Sequence, residues 1–373
     1  MVELKLSMLR GAFGPPQGSD FCGLFSREVR ELLRIRCDAP YNRVRLTAAR
    51  MEEIPLIIRG LKRRTHVFCV TSDAPFRSPG SDGMGHIKLG VLPLFSTGFS
   101  VAKLDKALRI IKQQAYGKES ARAGELINRL LGANRVIVKF RRPRTEAVLE
   151  FHNGASPVFF FNQTGRIEWG HQSVLPNGEV SLLTNSHGCY SEQSVFKLDG
   201  AILFDGYPVL HRGLCPCRTF RPFPAAFETR AAGVPTGGSD ACVSLRNNYV
   251  PIRNLRSTFK GLSGLDREPI VAKVKKGIIQ SVHPLTRRSQ FAAKFEALLA
   301  ADMRYRKVHE FAFGLSSTRE VFVRENFLPN EMRLGVHFGL GLTPYTQFHL
   351  DLVCPRVSVF IEKAARRETL LRC

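Results

Sequence analysis

Side chains that suit a divalent metal are concentrated between His309 and Asp351, a stretch of 43 residues. Glu310 lies in the apolar segment EFAFGL, His337 lies in GVHFGLG, and His349 forms an H-x-D pair with Asp351 in FHLDLV. Two imidazoles and a carboxylate that converge on one point satisfy a divalent transition metal. The pattern therefore indicates a metal site. The alternative is that each histidine is a hydrogen-bonded residue of an apolar core.

The H-x-D pair acts as one unit if it lies on a strand. Because residues i and i+2 of a strand point to the same face, His349 and Asp351 are expected to project side by side, with Leu350 and Leu352 turned the other way. By the same alternation His309 is expected on the face opposite to its neighbour Glu310. That position predicts a packing or supporting role for His309.

The chain that positions these residues is predicted to have an α+β fold in two domains. Residues 1–118 have the pattern of a small α/β unit, in which amphipathic helices accompany the buried strand HVFCVTSDAP. Residues 119–373 have the pattern of a domain with a mixed or antiparallel sheet, because short β segments dominate there. Its predicted elements are a helix at Ala121–Leu131, the strands RVIVKF and EAVLEF, the β segment SVLPNGEVSLL, a hairpin turning at Lys276-Gly277 and a helix at Ser289–Met303.

Composition and charge limit the possible classes of partner. The chain has 373 residues, a hydrophobic content of 44% and a formal net charge of +23. An excess of positive charge favours acidic partners such as an acidic peptide, nucleic acid or an anionic membrane. No helix-turn-helix, zinc-finger or RNA-binding signature is visible, so a nucleic-acid role is not expected. An arginine-rich solvated surface is the simpler interpretation.

The cysteines and the hydropathy pattern predict a cytoplasmic protein. The nine cysteines occur singly apart from Cys215-Pro216-Cys217, which is spaced too closely for the usual C-x₂-C zinc pair, so reduced thiols are expected. The N-terminus lacks a basic-then-apolar signal pattern, and no apolar run approaches the roughly 18 residues of a membrane-spanning helix. Secretion and membrane spanning are therefore not expected.

Six segments resemble, in the same order, the metalloaminopeptidases of the aminopeptidase T type and the related 2,5-dihydroxypyridine dioxygenase. LPNGEV is similar to the family's L-P-x-G-E-V, HEFAFGL to its E-L-x-I-G-x, GVHFGLG to its G-T-x-H-x-A-L-G, and FHLD to its H-x-D. LDGAILFDG and PIVAKVKKGIIQSV resemble the family's glycine-bounded strand and its P-I-x-L-x-I-x-x-G-x-I hairpin. The resemblance covers residues 119–365 and implies a metallopeptidase-like domain that forms a homodimer.

The resemblance implies five metal ligands, which are Glu179, Glu310, His337, His349 and Asp351. The implied metal is zinc, manganese or cobalt in a peptidase, or Fe(II) in a dioxygenase. Two ions could share a bridging carboxylate, or the two histidines and Asp351 could form a facial triad on iron. Glu310 could serve as a ligand or as the general base.

Three features depart from the family. His349 follows His337 by only 12 positions, Gly339 stands where the family has alanine, and residues 1–118 match poorly. Tyr345 lies in this shortened segment, near the place where the peptidases have a functional tyrosine. It is therefore a second candidate catalytic residue beside Glu310.

Several other polar residues are secondary candidates. His171 and His187 flank the predicted hairpin around LPNGEV and could line a cleft. Arg324, Arg333 and Arg356 surround the predicted ligands in sequence and could bind a substrate carboxylate bidentately, or be solvated.

Three functions remain open at this point. The first is a metal-dependent hydrolase that acts on a peptide or amide. The second is a pathway enzyme on the same fold, either oxygenase-like or tailoring a peptide-derived substrate, which the short histidine segment and the truncated front domain favour. The third is a binding protein whose basic surface holds an acidic peptide, such as the leader of a ribosomal peptide natural product. The retained ligand set argues against a wholly inactive site.

Overall fold

Parallel strands and short helices occupy the first third of the chain. The computed structural model describes residues 1–50, 53–71, 85–94, 100–141, 143–151, 159–183, 196–212, 228–230, 264–286, 290–301, 303–316, 318, 322–341, 348–364 and 366–373. The elements of the first third are β1 (Val2–Lys5), a 3₁₀ turn (Leu6–Leu9), α1 (Arg10–Phe13), β2 (Asp20–Phe25), α2 (Arg27–Leu32), β3 (Leu33–Arg36), β4 (Val44–Ala48), α3 (Ile54–Arg59), β5 (Thr65–Thr71), β6 (Ile87–Pro93), α4 (Val101–Gln113) and α5 (Tyr116–Leu130).

Strands predominate in the remaining two thirds. These elements are β7 (Arg135–Phe140), β8 (Glu146–Phe151), β9 (Phe159–Gln163), β10 (Gln172–Val174), β11 (Glu179–Leu183), β12 (Phe196–Phe204), β13 (Pro208–Arg212), β14 (Glu228–Arg230), β15 (Ile270–Lys275), β16 (Ile278–Pro284), α6 (Phe291–Ala301), a 3₁₀ turn (Met303–Arg306), β17 (Val308–Gly314), α7 (Pro329–Met332), β18 (Gly335–Leu340), β19 (Phe348–Cys354), β20 (Val357–Lys363) and β21 (Arg366–Arg372).

A five-stranded parallel sheet with the order β10-β6-β5-β2-β4 forms the centre of the first third. Every residue of β5 and β6 is buried. Parallel strands covered on both faces have this continuous burial, since helices and loops pack on each side. The apolar run HVFCV is explained by its place in the middle of that sheet.

Two seven-stranded antiparallel sheets face each other in the rest of the chain. Their orders are β13-β19-β18-β17-β11-β9-β14 and β16-β15-β12-β8-β7-β20-β21. Alternate residues of the first sheet, among them Leu182, Phe311 and Leu352, join residues of the second in one apolar cluster. Phe204 of β12 meets Phe338 of β18 edge to face at 6.5 Å between ring centroids. One face of β11, β17, β18 and β19 is therefore buried against the second sheet, and the opposite face carries polar side chains.

The α+β fold class is confirmed, and several predicted elements lie where they were expected. RVIVKF and EAVLEF coincide with β7 and β8. The hairpin of β15 and β16 turns at Lys276 and Gly277, whose φ angles of 52° and 76° suit a two-residue turn. The helix predicted at Ala121–Leu131 begins earlier, at Tyr116. No helix in the described part of the chain is long and apolar enough to cross a membrane.

The segment SVLPNGEVSLL does not form the predicted hairpin. β10 pairs in parallel with β6, whereas β11 pairs with β9 and β17 of an antiparallel sheet. The turn at residues 175–178 therefore passes from one sheet to another. The division into domains at residue 118 stays a prediction, and β10 contributes a strand from beyond that boundary to the parallel sheet.

The cysteines of the described part, Cys22, Cys37, Cys69, Cys354 and Cys373, are free thiols. Cys22 and Cys69 are buried in the apolar cluster on one face of the parallel sheet. Burial raises the pKa of Cys22 to about 11 and the pKa of Cys69 well above its ordinary value. Both cysteines therefore stay protonated at neutral pH. Neither is a reactive nucleophile, because the thiolate is the reactive form.

Acid sensitivity is expected from His66, which is buried in β5. Its ring stacks on Phe13 at 5.1 Å, and its Nδ1 lies 3.1 Å from the hydroxyl of Tyr41. Burial, together with the positive charge of Lys88, lowers the pKa of His66 to about 3. The unfolded chain takes up this proton near pH 6.5, so stability is lost as the pH falls from about 6.5 towards 3.

We expect His66 to account for about 1–2 kcal/mol of lost unfolding free energy between pH 7 and pH 5. Urea unfolding of the parent and of a His66→Phe variant at both pH values checks this. The variant should lose less stability than the parent over this interval. Equal losses in the two proteins would contradict the burial of a neutral imidazole.

Candidate metal centre

Seven buried side chains converge on the polar face of the sheet that contains β11, β17, β18, β19 and β13. We call them the ligand cluster. They are Glu179 of β11, His211 of β13, Glu310 of β17, Glu331 of α7, His337 of β18, and His349 and Asp351 of β19. Each of them is less than a tenth exposed. All five ligands that the sequence predicted belong to this cluster, so the structure brings them together.

The first group in the cluster is built around His349. Its Nε2 lies 2.9 Å from Oε2 of Glu310 and 3.0 Å from Oδ1 of Asp351. Its Nδ1 lies 2.5 Å from the carbonyl oxygen of Gly341. A carbonyl oxygen only accepts, so Nδ1 bears a proton and the ring directs its Nε2 at two carboxylates.

This arrangement fits a bound cation. A neutral His349 cannot donate to either carboxylate, and the facing lone pairs repel unless a positive charge lies between them. Metal-bound histidines typically donate their other ring nitrogen to a backbone carbonyl, as His349 does to Gly341. The remaining possibility in a metal-free protein is a doubly protonated imidazolium.

The second group places His337 between two acidic residues. Its Nε2 lies 3.8 Å from Oε1 of Glu179 and 3.9 Å from Oδ1 of Asp351. One ligand atom from each of Glu179, Glu310 and His337 lies within 4.8 Å of the others. These separations are longer than a hydrogen bond, and they leave space for an ion among Glu179, Glu310 and His337.

The third group was missed by the sequence analysis. Nε2 of His211 lies 2.8 Å from Oε2 of Glu331 and 2.9 Å from Oδ2 of Asp351. His211 faces His349 directly across the β13–β19 ladder. Each missed residue is a polar side chain with apolar neighbours, in PVLHR and LPNEM, which is the signal that singled out Glu310 and His337.

The electrostatics of the metal-free cluster are dominated by burial and by mutual contacts. Burial raises the pKa of Glu179 well above its usual value, and the charges of Glu310, Glu331 and Asp351 raise it further. Burial alone lowers the pKa of His349, but Asp351 and Glu310 outweigh burial and hold that pKa well above its usual value. Burial likewise acts against the charge on Asp351, yet contacts with His349 and His211 hold the pKa of Asp351 well below its usual range.

His211 and Glu331 have shifted pKa values as well. Burial disfavours an imidazolium at His211, but the carboxylates of Glu331 and Asp351 raise its pKa to about 9. Burial also raises the pKa of Glu331, against the opposing contact with His211. Protons therefore hold this cluster together when no metal is bound.

The absence of a side chain at Gly339 is a steric requirement of the cluster. Gly339 lies opposite Glu310 on one side and Asp351 on the other. A Cβ at this position would lie 2.5 Å from Cε1 of His349, 2.8 Å from Cβ of Glu310 and 2.9 Å from Oδ1 of Asp351. Glycine at this position therefore coincides with close packing of the ligand cluster.

A buried hydrogen-bond network holds the turn that precedes Glu179. The side-chain nitrogen of Asn177 donates to the carbonyl of Gly165 at 2.9 Å and to the hydroxyl of Ser173 at 3.2 Å. Nε2 of Gln114 donates to Oδ1 of Asn177 at 3.0 Å and to Oε2 of Glu119 at 2.5 Å. The end of α4 and the start of α5 therefore fix the position of a predicted metal ligand.

Removing this support should loosen Glu179. We expect Asn177→Ala to lower the free energy of unfolding by about 2–3 kcal/mol, because buried partners are left without hydrogen bonds. Metal affinity should fall by about 10–100-fold, as is typical when an outer support of a ligand is lost. Urea unfolding and titration with Mn²⁺ measure the two effects. Unchanged Mn²⁺ affinity in a destabilised variant would show that the turn does not position Glu179.

The other predicted residues lie outside the ligand cluster. His309 is buried at a β-bulge between Val308 and Glu310, where the regular alternation that predicted its face is interrupted. Burial lowers its pKa to about 3, helped by the positive charges of Lys307 and His349. Its role stays a prediction. Tyr345 and His187 lie outside the described residues, so the structure gives neither a position.

His171 lies next to the parallel sheet, where its carbonyl accepts from the backbone nitrogen of Leu89 at 3.0 Å. The three arginines already have partners in the structure. Arg324 pairs with Asp266 at 2.8 Å, and Arg356 pairs with Asp205 at 3.0 Å. The guanidinium of Arg333 lies over the ring of Phe322, 4.5 Å from its centroid.

Comparisons with known proteins find similar solved structures. No family model and no curated protein sequence matches the chain. The structure is similar to wild-type AmpT from Thermus thermophilus, with 12% identity, a TM-score of 0.44, and 98% of this chain and 96% of that chain covered. It is also similar to a 2,5-dihydroxypyridine dioxygenase from Pseudomonas putida KT2440, with 11% identity, a TM-score of 0.49, and 95% and 91% covered.

Proposed function

We propose that the ligand cluster binds divalent metal and that the chain is a metal-dependent hydrolase of a peptide or amide bond. The observation that carries the proposal is the geometry of His349. Its Nε2 faces two carboxylate oxygens at 2.9 and 3.0 Å while its other nitrogen is committed to a backbone carbonyl. A ring held in this way is oriented as a ligand.

The ligand types favour hydrolysis over dioxygen chemistry. A facial triad on Fe(II) needs two histidines and one carboxylate with open positions. His337, His349 and Asp351 supply that set, but Glu179, Glu310 and Glu331 add three more buried carboxylates. A carboxylate-rich centre suits zinc, manganese or cobalt, where a bound ion would lower the pKa of a water molecule and polarise the carbonyl of the substrate.

The residues of the chain supply proton transfer and orientation. Glu310 is the proposed general base, since it lies in the cluster and shares a hydrogen bond with Glu179. An ionised carboxylate at this position can accept one proton from a water molecule and return it to a leaving amine. Burial of the cluster excludes bulk water and strengthens each of these interactions.

The substrate is proposed to be a peptide or a peptide-derived molecule with acidic character. The net charge of +23 supports an acidic substrate, since long-range attraction raises the rate of encounter. In this case KM should rise with salt concentration more than kcat changes, because salt screens the approach.

The test begins with protein purified without chelators or a metal-affinity tag. Elemental analysis gives metal per chain, and the metal-free protein is then reloaded separately with Zn²⁺, Mn²⁺, Co²⁺ or Fe²⁺. Each form is incubated with acidic and neutral peptides, with free or blocked N-termini, and release of new amines is followed by mass spectrometry. Amine release that requires metal and is lost in Glu310→Gln supports the proposal.

Two results would count against it. If the parent protein contains no metal and takes up none on reloading, the proposed metal centre is wrong. Binding of acidic peptides then becomes the leading account. Retention of iron, with oxygen consumption and no amine release, supports an oxygenase instead. His171→Ala serves as the control, since this histidine lies outside the cluster.

A further inference from the structure

We propose that His211, Glu331 and the Oδ2 atom of Asp351 form a second cation subsite, which Asp351 bridges to the subsite of His349. This inference rests on the proposed function, since it adds a second ion to the same centre. It extends the centre beyond the five ligands that the sequence resemblance implies. The two added ligands are contributed by β13 and α7.

The two oxygens of Asp351 point to different partners. Oδ1 lies 3.0 Å from Nε2 of His349, whereas Oδ2 lies 2.9 Å from Nε2 of His211. The rings of His211 and His349 stand side by side, with centroids 5.8 Å apart. A carboxylate that directs one oxygen into each of two neighbouring ligand groups has the arrangement of a bridge between two ions.

The distances within the group match those around a bound ion. Nε2 of His211 is 2.8 Å from Glu331 and 2.9 Å from Asp351. Ligand atoms held about 2.1 Å from an ion and at right angles to one another are separated by about 3 Å. The group therefore needs little rearrangement to accept an ion in place of the protons it now shares.

Charge balance also favours two ions. The ligand cluster contains four buried carboxylates, Glu179, Glu310, Glu331 and Asp351, and three histidines. With the histidines neutral, as ligands must be, one dication leaves two negative charges of the cluster uncompensated. Two dications balance the four ionised carboxylates, which avoids the large penalty for unpaired buried charge. This balance concerns the number of ions, and the two contacts of Asp351 support a position for one of them beside His211.

The competing account gives His211 a purely structural role. In that account an imidazolium lies between Glu331 and Asp351 and orients Asp351 for a single ion. Removing Glu331 would then weaken binding of that ion, but the number of ions bound at saturation would not change. The number of bound ions, rather than activity, therefore separates the two accounts.

The test uses the full-length protein loaded with Mn²⁺ after removal of its own metal. Equilibrium dialysis counts ions per chain, and electron paramagnetic resonance reports whether two Mn²⁺ ions are coupled through a bridge. We expect two ions and a coupled spectrum in the parent. Glu331→Gln, which keeps the size of the side chain, and His211→Gln should each bind one ion and give an uncoupled spectrum.

The outcomes distinguish this inference from the proposed function. One ion in the parent and in both variants overturns the second subsite and leaves the proposed function intact. Two ions in the parent and also in both variants places the second ion elsewhere and likewise overturns the subsite. No ion in the parent removes both proposals. If one variant fails to fold, as judged by circular dichroism, the other provides the comparison.

Discussion

The Asp351→Ala variant is expected to retain less than about a tenth of the divalent metal bound by the parent, because ligand loss is a direct loss of binding energy. Asp351 contacts His211 through one oxygen and His349 through the other, and His337 is within 3.9 Å. Elemental analysis of matched preparations measures the effect, and catalytic turnover should be lost with the metal.

A matched control separates ligand loss from general damage to the core. Asp205 is also a buried aspartate, 6% exposed, and it pairs with Arg356 at 3.0 Å outside the ligand cluster. Asp205→Ala should be destabilised yet keep its metal. Equal metal loss in the two variants would mean that binding responds to stability alone, and the ligand role of Asp351 would be wrong.

Gly339→Ala is expected to weaken metal binding by about 100-fold, as displaced ligands lose their favourable geometry. The added methyl group would lie 2.5 Å from Cε1 of His349 and 2.8 Å from Cβ of Glu310. Both neighbours are buried, so relief requires the ligands themselves to move. The test is sharp, because alanine adds only one methyl group to the side of the strand that carries the ligands.

Gly124→Ala in α5 is the control for this substitution. Apart from the backbone of its own helix, no atom of the described residues lies within 4 Å of a Cβ at Gly124. Alanine there should therefore leave metal binding unchanged and raise helix stability by about 0.5–1 kcal/mol. Titration with Mn²⁺ and urea unfolding of both variants give the comparison. Parent-like affinity in Gly339→Ala would show that the ligands are positioned differently when metal is bound.

Local sequence patterns predicted much of this site. The apolar flanks of Glu310 and His337 indicated buried polar residues, and the H-x-D spacing placed His349 and Asp351 on one face of a strand. Both inferences depend on nearest neighbours and on the two-residue period of strands. The convergence of Glu179 with these residues was indicated only by the resemblance, since it depends on pairing between β11 and β17.

The features that sequence reasoning missed depend on long-range pairing. His211 and Glu331 have the same local signal as the predicted ligands, but nothing in the sequence shows that β13 pairs with β19. The segment around LPNGEV suggested a hairpin because a turn separates two apolar runs. The partner of β10 is β6, more than 80 positions earlier. Pairing over such a distance depends on the packing of the whole fold and not on the local sequence. The bulge at His309 interrupts the alternation of side chains between the two faces of β17, and no local sequence signal marks that bulge.

The spread of ligands along the chain determines when the centre can form during folding. The first ligand, Glu179, and the last, Asp351, are separated by 172 positions. Closing a loop of this length costs about 4–5 kcal/mol of chain entropy. Packing of the strands must offset this cost before an ion can bind to both ends of the loop. An ion therefore cannot assemble the whole centre in the unfolded chain. The complete centre therefore forms on a sheet that is already assembled.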